Sequence, residues 1–228
     1  MAKQAKKSVK SIDAPQVTSK DSLRALSSVD VPRLSDEDLL EEALLSECDW
    51  SGTVVDRVIF ERSRLESVIV HSGKLKRMEL VDVVMDACDL QGSEFEKAHL
   101  NRIVISNSRL AGCIFLDLRA ENLRVEDANL DHAMFHRAVL HAARFEHTSL
   151  RNASFDRSNL SGVIFRDCDL TNADLHGANL KEADLRGSTI DGLRVDVIDL
   201  RGAIVDASQA VALAGLLGVI VRDLEEHE

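Results

Sequence analysis

The sequence predicts an all-β solenoid, a chain wound into about eight stacked coils and packed solid along its axis. Three observations carry that expectation. Residues 168–187 read CDLTN, ADLHG, ANLKE, ADLRG, five-residue words that each place a small residue, then Asp or Asn, then Leu. Stepping by fives from Leu170, the word centres run without a slip from Trp50 to Val205, giving 32 words over residues 48–207. All seven Phe occupy centres, an outcome with a chance of about one fifth to the seventh power, so the period is a property of the chain.

Side chains alternate faces along a strand. Five is odd, so the centres all point inward only if the chain turns once per word. Eight of the eleven Gly, Gly52 and Gly92 among them, lie two residues after a centre, where a corner with positive φ is needed. Phe95, Phe115, Phe135 and Phe155 recur every twenty residues, as do Phe145 and Phe165. Four words therefore make one turn, and the rings stack in two interior columns. Coils ~4.8 Å apart pair their backbone groups as neighbouring strands do. One coil buries too little to offset its own backbone entropy, so the rod needs neighbours throughout and caps at its ends.

Taken in order, residues 1–33 read as a disordered basic arm, with seven Lys/Arg against three Asp and few large apolar side chains. Residues 34–47, LSDEDLLEEALLSE, read as an N-terminal capping helix. Ser35 is its N-cap, acids fill its first turn, and Leu39, Leu40, Ala43 and Leu44 form one apolar stripe. Residues 48–207 are the repeat. Around 118–123, large Leu118 and Leu123 take the inner slot two before a centre while Ala120 takes a centre, a volume compensation expected of a packed core. Residues 208–228 are a C-terminal helix and tail. The helix starts at Asp206, which with Gln209 resembles a capping box, and stops at Gly218; Val219 to Val221 then offer a short strand.

Tempting chemistry dissolves in this frame. Cys48, Cys88, Cys113 and Cys168 all sit two before a centre and read as small core residues rather than metal ligands or a disulfide. His132, His136, His141 and His147 fall one or two after centres on successive sides, so their rings do not converge on a metal. The sequence holds no phosphate loop, nucleophile elbow or Ser/His/Asp set, and a filled rod has no pocket. The expectation is a protein with no enzyme activity, cofactor or metal. No apolar run approaches the ~18 residues of a membrane span, and residues 1–10 hold no apolar segment of signal-peptide type. The sequence thus reads as cytoplasmic, without membrane contact.

The words resemble the consensus A-(D/N)-L-x-x of the pentapeptide-repeat family, over about 70% of the chain. The resemblance implies a right-handed, four-sided β-helix. The run LRGAIVDASQAVALAGLLG at residues 200–218 is similar to the C-terminal end of the mycobacterial fluoroquinolone-resistance member. It implies a tip-to-tip homodimer with Val211, Leu213, Leu216 and Leu217 as contacts.

The net charge is −11, which repels nucleic acid from the rod and attracts proteins that bind it. Glu66, Asp86, Glu126 and Glu146 share an outward column at multiples of twenty, and Asp169, Asp174 and Asp184 precede centres. These seven are the candidate partner-binding acids. Gyrase-binding family members are thought to imitate DNA, so the resemblance implies a decoy for bacterial DNA gyrase, a type II topoisomerase, modulating it or protecting it from quinolone-like poisons. Arg124, Arg144, Arg166 and Arg186 interrupt the acidic faces. The alternative is a general protein–protein scaffold that docks an unrelated partner through an apolar patch of Val84, Val104 and Leu116 or through the basic arm.

Overall fold

The computed structural model describes residues 12–17, 20–26 and 33–222. It is a right-handed, four-sided β-solenoid of about seven turns ending in a short helix. Parallel partners lie twenty residues apart. On one side, strands 39–41 and 59–61 lead into 79–81, 99–101, 119–121 and 139–141. On the next, 43–46 and 64–66 lead into the second halves of the long strands Glu79–Asp86, His99–Ser106, Arg119–Glu126 and Val139–Glu146, and then into Ile164–Arg166. The third side is held by single bridges from Asp49↔Ile69 to Asp169↔Thr189. The fourth runs through Val54–Asp56, Lys74–Lys76, Glu94–Glu96, Ile114–Leu116 and Met134–His136.

Every centre from Leu45 to Val195 is buried. Phe95, Phe115, Phe135 and Phe155 stack at centroid spacings of 5.2, 4.7 and 4.7 Å, and Phe145 stacks on Phe165 at 5.2 Å. Edge contacts from Phe135 to Phe145 and from Phe155 to Phe165 join the two columns. These spacings fit the favourable range for aromatic pairs. Leu118, Ala120 and Leu123 are all buried, so the large-for-small exchange is a packing exchange. The first half, where Phe is rarer, is less completely filled. A void of about 40 Å³ lies among Trp50, Leu75, Leu90 and their neighbours, with apolar walls only, which corrects the expectation of a rod filled throughout.

The corners differ from a glycine scheme. Twenty-five described residues other than Gly hold φ between 46° and 63°. Left-handed backbone costs an L-residue ~1–2 kcal/mol. The corner amides offset that cost by donating to the coil above: Arg62 N–H to the Val81 carbonyl at 2.9 Å, His132 N–H to Arg151 at 2.8 Å.

The N-terminal capping helix expected over 34–47 does not form. Leu39–Glu41 and Ala43–Ser46 are strands, and Glu37, Glu42 and Glu47 are corners at φ 63°, 50° and 55°. The frame simply continues backward, with Leu40 and Leu45 as centres. Pairing with the next coil outweighs the local helical pattern, because a strand here satisfies backbone groups that an isolated 14-residue helix would leave to solvent at its ends. The described part of the supposedly disordered arm is also ordered. Arg24–Leu26 pairs in parallel with Ala43–Leu45, Leu23 and Leu26 are buried, and residues 12–17 lie on the rod. The rest of the arm falls outside the described residues.

At the other end, Asp206 caps helix α1 (Ala207–Ala214) in a full capping box with Gln209, and Gly218 takes φ 71° after a closing 3-10 turn. The buried Gln209 amide donates to the Leu185 and Ser188 carbonyls at 2.7 Å each, pinning the helix over the last coil. Residues 219–221 are exposed and do not form the expected strand. Among the described residues no helix is long and apolar enough to cross a membrane.

Candidate partner-binding surfaces

The register that stacks the core also aligns the surface. Glu66 pairs in register with Asp86, Asp86 with Ser106, Ser106 with Glu126 and Glu126 with Glu146, so the four acids form one straight outward column interrupted by Ser106. Its charge is largely answered locally. Glu66 meets Lys20 at 2.5 Å and Arg64 at 3.5 Å. Arg124 contacts both Glu126 and Glu146, and Arg144 meets Glu146 at 3.0 Å. Asp86 has neutral partners: Asn107 and Ser106 donate to it at 2.7 and 2.8 Å and hold its carboxyl below the usual range.

Asp169, Asp174 and Asp184 do not join that column. Their bridge partners place Asp169 on the third side, Asp174 on the fourth and Asp184 on the second. Burial pushes the Asp169 and Asp174 carboxyls up, but hydrogen bonds from Thr171 and His176 outweigh it and leave both low. Arg186 does the same more directly for Asp184, with two bonds of 2.8 and 2.7 Å. The seven acids are therefore spread over three sides of a charge mosaic. Exposed pairs of this kind contribute little individually.

The apolar trio also separates. Val84 and Val104 are register neighbours, whereas Leu116 sits on the fourth side, between Glu96 and His136. All three are half-buried, so no single patch of Val84, Val104 and Leu116 exists. The larger apolar surface is at the C-terminal end. Val211 and Leu216 of the proposed dimer set are exposed, Leu213 packs against the core, and the Leu217 side chain lies outside the described residues. In the same C-terminal stretch of the chain Val197, Ile198, Ile204, Val219, Ile220 and Val221 are also exposed. Sequence reasoning missed these. The available signal was Val197, which stands two after the centre Val195, at the corner position that elsewhere carries mostly Gly or a polar residue.

The four cysteines are buried and unbridged. Burial pushes the thiols of Cys88, Cys113 and Cys168 up to about 11, 12 and 11, away from reactivity. His136 meets Asp156 at 2.8 Å, and His176 meets Asp174 at 2.7 Å and Asp196 at 3.9 Å. Among the described residues no three His, Cys, Asp or Glu are placed to hold a metal.

Residues 121–152 and 148–187 match the sequence model of pentapeptide repeats, in eight copies. No curated protein sequence matches the chain. Among solved structures it is similar to full-length QnrB1, a plasmid-mediated fluoroquinolone resistance protein, at 20% identity over 86% of this chain and 98% of that one, with a TM-score of 0.48. It is similar to HetL, a pentapeptide repeat protein involved in heterocyst differentiation regulation in a Nostoc cyanobacterium, at 18% identity over 74% and 87% of the two chains, with a TM-score of 0.31. A pentapeptide repeat protein of the cyanobacterium Cyanothece follows at 16% identity over 63% and 91%, again with a TM-score of 0.31. Residues 121–187 therefore carry pentapeptide repeats, and they lie inside one frame that runs unbroken from residue 48 to residue 207.

Proposed function

We propose that this protein is a non-catalytic binding rod of the cytoplasm. It pairs with a second copy through its C-terminal end and presents its outer columns to a protein partner. That partner is bacterial DNA gyrase, which the rod modulates or protects from quinolone-like poisons. The observation that carries a binding role is the division of chemistry: apolar residues line the axis, and polar groups stand outward in straight columns one coil apart. A net charge of −11 favours a partner with a basic surface and speeds its approach. The arginines beside Glu126 and Glu146 make this attraction a property of the whole field rather than of one bare acidic stripe. A gyrase assay tests the reading. A molar excess of the protein should inhibit supercoiling or reduce fluoroquinolone-induced cleavage, and no effect on either rejects gyrase as the partner.

The register contact of Val84 with Val104 favours a second reading, a scaffold for an unrelated protein. Salt separates the two: field-driven binding weakens steeply with ionic strength, and apolar docking does not.

A further inference from the structure

One corner of the solenoid is already occupied, and its spacing identifies what fits it. Asp82, Arg102 and Asn122 stack at successive turns, each at φ 55–56°. Along them lie residues 12–17. The Gln16 amide donates to Asp82 Oδ1 at 2.8 Å and the Asp13 amide to Asn122 Oδ1 at 3.3 Å. The two acceptors are two coils apart, ~9.6 Å at the strand spacing. The two amides are three residues apart, ~10 Å in extended chain. The match is one of period: two coils equal three extended residues. Between the acceptors stands Arg102, held to Asp82 by two bonds of 2.6 Å and close enough to Asp13 to feel its charge. Ile12, Pro15 and Val17 are half-buried while Asp13, Ala14 and Gln16 are exposed.

We infer that the column Asp82–Arg102–Asn122 is a binding site for an extended peptide, filled here by the chain's own residues 12–17 and open to a partner's segment of the same chemistry when they leave. The ligand is an extended segment with an acidic residue and free main-chain amides at that residue and three residues later. It is recognised through the main chain and one carboxylate, so it needs no sheet edge. Release leaves nothing stranded, because Arg102 continues to satisfy the nearly buried Asp82 carboxylate. The inference does not depend on which protein the rod binds.

Hydrogen exchange on the full chain gives the first test. The Asp13 and Gln16 amides should be protected. Asp82→Gly should release Gln16, and Asn122→Gly should release Asp13; glycine suits these corners, since Gly162 and Gly202 already stand in the same column at φ 73° and 80°. The second test uses a labelled peptide of residues 11–18. A tethered strap competes at an effective concentration of ~mM, so the peptide should not bind the native chain at micromolar levels. It should bind the full-length Gln16→Pro variant, which loses the donor and leaves the solenoid untouched. Adding Asp82→Gly should weaken that binding about tenfold or more. The inference is overturned if both amides exchange like free peptide in the native chain. It is equally overturned if the peptide binds neither form, or binds both alike.

Discussion

The Ser158 hydroxyl donates to the Phe135 carbonyl, one coil away, at 2.6 Å. The same oxygen accepts the Ala138 amide at 3.0 Å. Ser63, Ser93 and Ser188 repeat both bonds in their own coils, and Cys113 and Cys168 make the donor half through sulfur. The inner slot is thus a stitch between coils where it holds one of these serines or cysteines. Ser158→Ala should lower stability by ~1–2 kcal/mol, the cost of leaving buried backbone groups short of a partner. Denaturant unfolding measures it, and Ser158→Cys should recover part of the loss. An unchanged midpoint for the alanine variant would make the stitch energetically idle.

Phe135 touches Phe115, Phe155 and Phe145, two rings of its own column and one of the other. Phe135→Ala should cost ~3–5 kcal/mol and Phe135→Leu much less, because leucine fills centres elsewhere without strain. In a solenoid whose coils touch only their neighbours, the alanine variant should also split the thermal transition in two. A single, unshifted transition would mean that the stack carries no coupling.

Ala142 occupies a corner at φ 50°, gaining no side-chain bond for its strain. Ala142→Gly trades ~1–2 kcal/mol of left-handed strain against ~0.5–1 kcal/mol of added chain entropy. The difference predicts a small stabilisation, visible as a higher denaturation midpoint. The reverse change, Gly112→Ala, should destabilise although open space surrounds the new methyl, because there φ is +68° and the cost is conformational.

Acid should loosen the C-terminal cap. Ser208 and the amides of Gln209 and Gly187 donate to Asp206 and pull its carboxyl down to about 2 from 3.8. A carboxyl lowered in the folded state contributes stability above its unfolded value and loses it as pH falls through the folded value. The contribution should be complete above about pH 4 and fade toward pH 2. Asp206→Asn keeps an N-cap oxygen and should flatten the stability-versus-pH slope in that window alone. A slope identical to the native protein's would show that the cap does not report on acid unfolding.

Several of these relationships were legible in the residues and several were not, for physical reasons. The Phe columns were readable because an odd period with all rings in phase has one geometric solution. Leu39, Leu40, Ala43 and Leu44 misled because a spacing of one, four and five suits a helix as well as the flanks of two adjacent words; Leu45, the buried centre, was the discriminating residue. Cross-coil pairs such as Asp117 with Arg137 at 2.7 Å stand twenty apart in corner columns and could have been found from the register. The strap at residues 12–17 could not, since its two bonds to the rod use main-chain amides and leave no side-chain signature. The acidic column was placed correctly by spacing, but its neutralisation by Arg124 and Arg144 depended on where long side chains reach.

The C-terminal end offers the sharpest test of assembly. Val211 from helix α1 and Leu216 from the 3-10 turn are exposed, as are Ile220, which is 77% exposed, and Val197 and Ile198. Apolar surface on this scale is costly in water and marks a contact. A two-fold pairing would bury it, because a self-complementary face closes on itself. Leu216→Asp and Ile220→Glu each place a charge at the centre of that contact without touching the solenoid, so each should convert a dimer to a monomer in sedimentation or size-exclusion measurements while the far-UV spectrum is unchanged. Val84→Asp, on the second side of the rod, should leave the dimer intact. A native chain that sediments as a monomer at micromolar concentration would reject the pairing, and the exposed apolar end would then have to be covered by a different protein.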